Sequence, residues 1–167
     1  GFGTHDEGFE TLTLVQTGKT DPRPIVCLDA PGSAYWKEFI QFLKQQLLQQ
    51  SLIHTEDIDL MHVTHDPADA AAYVADFYKM YHSMRYIREL LVFRIEKPLK
   101  EEQVDILNQE FKHMLKKGKF EQSLKPFEEE RNVPYTFHLT RLAFYFKRDN
   151  FANLNKLIHR INSFAGA

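Results

Sequence analysis

Apolar positions in the opening stretch fall at Phe9, Leu12 and Val15, a helical spacing that ends at Gly18 and predicts a helix of about four turns. Before it, Gly1-Phe2-Gly3-Thr4 reads as a tight, flexible turn with no strand in front of it. Such turns join a strand to a helix, so the chain is expected to open inside a longer unit. Arg23-Pro24 then introduces Ile25 to Leu28, a short continuous apolar run of the kind that parallel strands bury on both faces. The turn residues Asp29-Ala30-Pro31-Gly32-Ser33 break it. From Tyr35 to Leu48, Trp36, Phe39, Ile40, Leu43 and Leu47 recur at helical spacing. Ile58 to Val63 reads as a second strand. Asp66-Pro67 then starts another helix, with Asp66 as cap, Pro67 at the first helical position, and Tyr73, Phe77 and Met80 on its stripe. Helix and strand alternate, which predicts right-handed crossovers and a parallel α/β sheet whose ligands bind beyond the carboxyl ends of the strands.

Near Met84 to Arg88 the pattern changes. Leu90 to Ile95 reads as a strand stopped by Pro98, and Lys100 to Lys117 as a helix with Val104, Leu107, Phe111 and Met114 inward. Gly118 and an exposed, charged connection follow. Leu142 to Phe146 gives a further strand, and Asp149 or Asn150 caps a last helix with Leu154, Leu157, Ile158 and Ile161 on one face. The expected organisation is an α/β segment over residues 1–84 and a small α+β module over residues 85–167.

Composition narrows the setting. The single cysteine, Cys27, lies inside an apolar run and reads as a small buried hydrophobe. With no disulfide framework, no apolar run long enough for a bilayer and no leader pattern at the start, a reducing cytoplasm is the expected location and a membrane partner is not. A net charge of −2 gives no general attraction to phosphate backbones, which argues against nucleic acid as a partner.

The opening residues carry the candidate chemistry. Glycines on both sides of Phe2 let backbone N–H groups point into one concavity, and the following helix adds its unpaired N–H groups and positive dipole end. A phosphate fits such a place. Thr4 offers a hydroxyl or a cap, and Glu7, one turn on, puts a carboxylate near whatever sugar the phosphate carries. The string G-x-G-T-x-x-E also suits an ordinary helix start, with a Thr cap and an acidic first turn. No lysine follows as in a P-loop, and Asp6 occupies the place of the last glycine of a dinucleotide fingerprint.

Gly1-Phe2-Gly3-Thr4-His5-Asp6-Glu7 resembles the later part of the P-G-G-x-G-T-x-x-E motif of the Lonely Guy (LOG) family, without its first Pro and Gly. The likeness continues through Leu14-Val15-Gln16-Thr17-Gly18, through Arg23 to Leu28 with Gly32 and Tyr35-Trp36, and through Ser51-Leu52-Ile53 to Asp66-Pro67-Ala68-Asp69, so it covers about Gly1 to Tyr78. The resemblance implies a Rossmann-like sheet flanked by helices. It implies an enzyme similar to the cytokinin riboside 5′-monophosphate phosphoribohydrolases, which release the base of a nucleoside 5′-monophosphate and leave ribose 5-phosphate. Relatives also carry the label lysine decarboxylase, which implies a pyridoxal-phosphate lysine; none is identified in this sequence. On matching positions, Gly1, Gly3 and Thr4 would hold the phosphate and Glu7 would be the catalytic carboxylate. The family also uses an arginine-containing segment upstream of the loop, which these residues do not include. A nucleoside monophosphate partner, no metal, no redox or other cofactor, and a homo-oligomer are expected. The alternative is a protein that carries or senses a nucleotide, or a nucleotide-like cofactor, without cleaving it.

Other polar residues have plainer readings. His62, His65 and Asp66 lie close in sequence, but a strand end feeding a helix cap explains them better than a metal. His5 and Asp6 are expected in solvent on the first helical turn. Asp29 reads as a turn former, with a substrate contact second. Phe77, Tyr78, Tyr81 and Tyr86 read as a packing face between the two modules ahead of a base-stacking surface.

Overall fold

The computed structural model describes residues 1–166 and separates into two compact units, Gly1–Phe77 with Phe151–Asn155, and Tyr78–Asn150 with the residues from Lys156 onward. Both kinds of sheet occur in a mixed α/β architecture: a parallel pair in the first unit and a four-stranded antiparallel sheet in the second.

In the first unit, α1 (Phe2–Gln16) leads to β1 (Ile25–Leu28), α2 (Tyr35–Leu43), the short α3 (Thr55–Ile58), β2 (Met61–Thr64) and α4 (Pro67–Phe77). β1 and β2 pair in parallel, Ile25 opposite Met61 through Leu28 opposite Thr64. The turn anticipated over Gly1–Thr4 is instead the first turn of α1: the Gly1 carbonyl accepts from the N–H of Thr4 at 3.1 Å and of His5 at 3.4 Å. No residue from Phe2 to Thr4 is barred from helical dihedrals, and glycine costs only about 1 kcal/mol there. At the other end, Gly18 takes φ +67 and the Leu14 carbonyl accepts from Lys19 and Thr20, closing the helix as the Gly18 stop signal implies. Val15 and Leu60 pack with Ala152 in a small core that Leu12 and Ile25 flank.

Two expectations shift in this unit. The strand expected from Ile58 begins only at Met61, because the Asp57 carboxylate accepts from the His54 N–H at 2.8 Å and turns Thr55–Ile58 into a capped helical turn. The helix from Tyr35 runs on to Leu48, but Lys44–Leu48 is wound as a π turn, with Gln49 N–H bonding to the Lys44 carbonyl at 3.1 Å. The Asp66 cap is as expected, its carboxylate accepting from the Ala68 N–H at 2.8 Å.

In the second unit, β3 (Tyr81–Ile87) and β4 (Leu90–Ile95) form a hairpin whose turn puts Arg88 at φ 57. Then follow α5 (Glu101–Glu110), β5 (Leu115–Ser123), β6 (Thr140–Phe146) and α6 (Ala152–Ser163). The sheet order is β3-β4-β6-β5, so β6 is inserted between the strands that α5 connects. A boundary at residue 84 passes through β3; the compact units divide after Phe77, because residues 81–87 pair with β4. The helix expected to reach Lys117 stops at Glu110. Phe111 and Met114 are buried from a 3₁₀ turn, whose i, i+3 spacing mimics the helical stripe. The expected charged connection is partly β5, an edge strand whose Leu115 and Phe120 point inward while its lysines stay in water.

One face of this sheet carries a run of rings, Tyr81 to Phe93 at 5.1 Å, Phe93 to Phe144 at 5.4 Å and Phe144 to Phe120 at 4.6 Å between centroids. On the other face, Glu130 is fully buried between two arginines. Its carboxylate accepts from Arg94 Nε at 2.8 Å, Arg141 Nε at 3.0 Å and the Phe127 N–H at 3.0 Å. Burial pushes the Glu130 carboxyl up, but the bonds from Phe127, Arg94 and Arg141 outweigh it and hold the group below its ordinary range.

Candidate functional site

The carboxyl ends of β1 and β2 lie in register, and the Asp29 N–H extends the ladder by bonding to the Thr64 carbonyl at 2.8 Å. The turn after β1 is built by Asp29, a buried carboxylate. Its Oδ1 accepts from the Ser33 hydroxyl at 3.0 Å and its Oδ2 from the Trp36 N–H at 3.2 Å. Asp29 thus starts α2, the turn-forming role its sequence context implies. Its charge also adds to burial in raising the neighbouring Cys27 thiol to about 11, which leaves that cysteine inert at neutral pH, as expected from the apolar run.

His5 fastens α1 to this turn. Its Nε2 lies 2.6 Å from the Tyr35 hydroxyl, and its ring sits 4.6 Å from Phe39, 5.4 Å from Tyr35 and 5.9 Å from Trp36. Solvent was the expected place for His5; the aromatic start of α2 takes it instead, because edge and face contacts among these rings cover an otherwise amphipathic side chain. Asp6 is exposed, as anticipated. The consequence is positional: the start of α1 is anchored at the carboxyl end of β1, the sheet edge where ligands of parallel α/β sheets bind.

Gly1, Gly3, Thr4 and Glu7 all lie in or beside the first two turns of α1 and are exposed. At about 100° per residue, Gly3, Thr4 and Glu7 share one side of the helix, whereas His5 faces about 160° away from Glu7. The first N–H groups of the helix have no intrahelical acceptor. The Gly1 ammonium donates to the Thr4 hydroxyl at 3.4 Å. A Cβ built on Gly1 or Gly3 meets no atom within 4 Å, so nothing in the protein itself demands glycine there. What the structure brings together is therefore a helix start with a glycine, a hydroxyl and a carboxylate on one exposed side; Asp29 and the aromatic cluster are directed elsewhere.

The histidines after β2 part company. His62 Nε2 lies 2.7 Å from Asp69 and its ring stacks on Tyr73 at 4.2 Å, while His65 reaches the Ala30 carbonyl at 3.3 Å. His62 bonding, then Thr64 bonding, lowers the Asp69 carboxyl. No group of three metal-ligating side chains converges among the described residues, and no described helix is long and apolar enough to cross a membrane. Tyr81 and Tyr86 serve the second unit itself, Tyr81 against Phe93 and Tyr86 beneath the Arg148 guanidinium at 4.1 Å. His5 and Tyr35 are the neighbours of the site that pattern reading missed; the signal was the coincidence of an aromatic stripe on α2 with a histidine in a helix's first turn.

Residues 1–74 match the model of a family described as possible lysine decarboxylase. The match ends inside α4, short of the second unit. The match makes the first unit similar to that family. No curated protein and no solved structure matches the chain.

Proposed function

We propose that the first unit is the nucleotide-binding part of an enzyme that hydrolyses the N-glycosidic bond of nucleoside 5′-monophosphates. The observation that carries this reading is the coincidence of the family match with the arrangement of α1: Gly3, Thr4 and Glu7 on one exposed side of a helix start held at the carboxyl end of a parallel strand. The Gly1–Gly3 backbone and the Thr4 hydroxyl hold the phosphate, aided by the helix dipole. Glu7 then faces the ribose. In the reaction the bond from C1′ to the base nitrogen breaks, the base leaves with its electron pair and a proton, and water supplies the hydroxyl at C1′. Positive charge develops on the sugar, and a fixed carboxylate stabilises it and orients the attacking water. Binding energy from the phosphate holds the sugar in register. Among the described residues α1 carries no lysine, so the decarboxylase description finds no Schiff-base residue at this helix start.

Incubation of the native protein with purine and pyrimidine 5′-monophosphates, followed by chromatography for free base and ribose 5-phosphate, tests the reading. Release of both products in equal amounts is expected. Saturable nucleotide binding with no release from any of them would turn the assignment to a carrier or sensor.

A further inference from the structure

The two units carry opposite charge. The first holds four lysines and arginines against twelve aspartates and glutamates and the second seventeen against eleven, so a chain of net charge −2 divides into −8 and +6. Asymmetry of this size points to a polyanionic partner for the basic part. The whole-chain value averages it away, which is why that value gives no attraction to phosphate. The excess gathers at one end of the antiparallel sheet. Strand register brings the β3–β4 hairpin, the start of β5 and the end of β6 together there, with Ile87 opposite Leu90, Leu91 opposite Phe144 and Leu115 opposite Phe146. Residues 88–89, 112–119 and 147–149 hold seven exposed lysines and arginines against two acids, Glu89 and Asp149. Three of the cations surround Glu89: Lys116 Nζ donates to it at 2.9 Å, Lys117 Nζ lies at 3.8 Å, and the bond from Lys116, then the charges of Lys116, Lys117 and Arg148, lower its carboxyl. Lysines on an edge strand also keep it from pairing with another chain, but Arg88, Lys147 and Arg148 lie off β5 and have no such duty.

Aromatic rings accompany the charge. Lys117 Nζ stands 4.3 Å from the centre of the half-buried Tyr145 ring, and the Arg148 guanidinium 4.1 Å from that of Tyr86. β5 leaves its register with β6 between Lys117 and Glu121. Beside this irregular stretch lies a pocket of about 280 Å³ lined by Leu90, Gly118, Lys119, Gln122, Phe127 and Tyr145. That exceeds the roughly 150 Å³ that accommodates a benzene ring, so one base has room there. We propose that this end of the sheet binds single-stranded nucleic acid, its phosphates on Lys116, Lys117, Lys119 and Arg148 and one base against Tyr145 in the pocket. Exposed ion pairs and cation–π contacts are weak, so these cations exchange them readily for phosphates. A single strand is selected over a duplex because only an unstacked base offers its face to a ring. An anionic bilayer would need an apolar wedge, and the large apolar side chains exposed in this unit, Tyr78, Leu124, Tyr135 and Phe137 among the described residues, fall outside these segments. An acidic peptide would meet the charge but leave Tyr145 and its pocket without a planar partner.

Fluorescence anisotropy of the native chain with a labelled single strand of about twelve nucleotides and mixed sequence tests the proposal. Four phosphate contacts, at about 0.7 each, give a slope near −3 in log affinity against log salt, so binding should weaken roughly fifty-fold from about 50 to about 200 mM. Lys116→Gln should lower the slope by about 0.7, while Lys97→Gln, the same charge change on an exposed residue beyond the other end of β4, should leave it alone. Glu89→Gln releases the cations it holds and should tighten binding several-fold. Tyr145→Leu should cost about ten-fold with the slope unchanged, and a polyglutamate of equal charge should bind about ten-fold more weakly than the oligonucleotide, both through the missing stack. Lys116, Lys97 and Glu89 are exposed, so their variants fold whatever becomes of Tyr145→Leu. No saturable binding at about 50 mM salt, equal effects of Lys116→Gln and Lys97→Gln, or binding to polyglutamate or phosphatidylserine vesicles as tight as to the oligonucleotide would each overturn it.

Discussion

The two units bury their polar groups for different ends. In the parallel pair, all four residues of β2 remain half-buried, and the buried carboxylates Asp29 and Asp57 sit at chain turns, where each caps the start of a helix. In the antiparallel sheet, six of the seven residues of β6 are buried, and Glu130 with Arg94 and Arg141 fixes the connection between β5 and β6 onto the sheet face. Turn-holding carboxylates leave helix starts and strand ends open to solvent, which is where a ligand can arrive. A charge cluster sealed under a connection has no such access and works through stability. The first unit is thus organised around an edge, the second around a core.

The largest effect that would break this contrast is in the core. Glu130→Gln leaves two arginines facing a neutral group in a dry site, and the second unit should lose about 3–5 kcal/mol of stability in denaturant unfolding. The native Glu130 has a folded pKa below its ordinary 4.5, so its contribution is complete above that value and disappears as pH falls through the lowered folded pKa. The stability of the native protein should therefore decline in acid more steeply than that of Glu130→Gln. Unchanged stability of the variant would mean that the cluster is not what holds residues 124–139.

A comparable effect is expected at the edge, but on turnover and not on folding. Glu7→Gln changes an exposed side chain with no packing role, so its unfolding midpoint should stay put while base release falls roughly 10²–10⁴-fold and nucleotide affinity changes little. Full turnover in the variant removes Glu7 from the chemistry.

Elements with strong local signals were legible in sequence. β1 has the exact limits of its apolar run, and the Asp66-Pro67 start of α4 and the buried face of α6 follow cap chemistry and a 3.6-residue stripe. What was not legible depends on distant partners. Phe111 and Met114 keep helical spacing but leave the helix to reach the sheet core, and Lys116-Lys117-Gly118-Lys119 becomes strand only because β6 pairs beside it. At the site, Glu7 and Gly3 could be named from the motif, whereas His5 could not be placed, because its partner Tyr35 lies 30 residues away. Asp57 gave no signal at all, since the Gln16 side-chain amide that donates to it lies 41 residues away on α1.

A smaller effect tests how α1 is closed. An alanine Cβ at Gly18 would stand 2.1 Å from the Phe151 ring, and the backbone there is left-handed. Gly18→Ala should cost about 1–2 kcal/mol through the backbone alone, with displacement of the ring adding to it, as read by thermal unfolding. Retained stability would show that Phe151 swings aside freely and that the end of α1 is not held by it.

The smallest effect in energy discriminates most finely between the two kinds of region. If the start of α1 reads phosphate, a nucleoside 5′-monophosphate binds about ten-fold or more tightly than its nucleoside, a difference near 1.4 kcal/mol. Gly3→Val should shrink that ratio towards one, because the branched side chain occupies the space through which an anion approaches the N–H groups. In the free protein that space is empty to 4 Å, and valine is a better helix former than glycine, so the variant should fold at least as well as the native chain. Calorimetry with the nucleotide and the nucleoside on both proteins separates the terms: stability unchanged with the ratio reduced locates phosphate recognition at Gly3. A ratio that survives the substitution in a well-folded variant places the phosphate away from α1 and removes the edge from the contrast with the core.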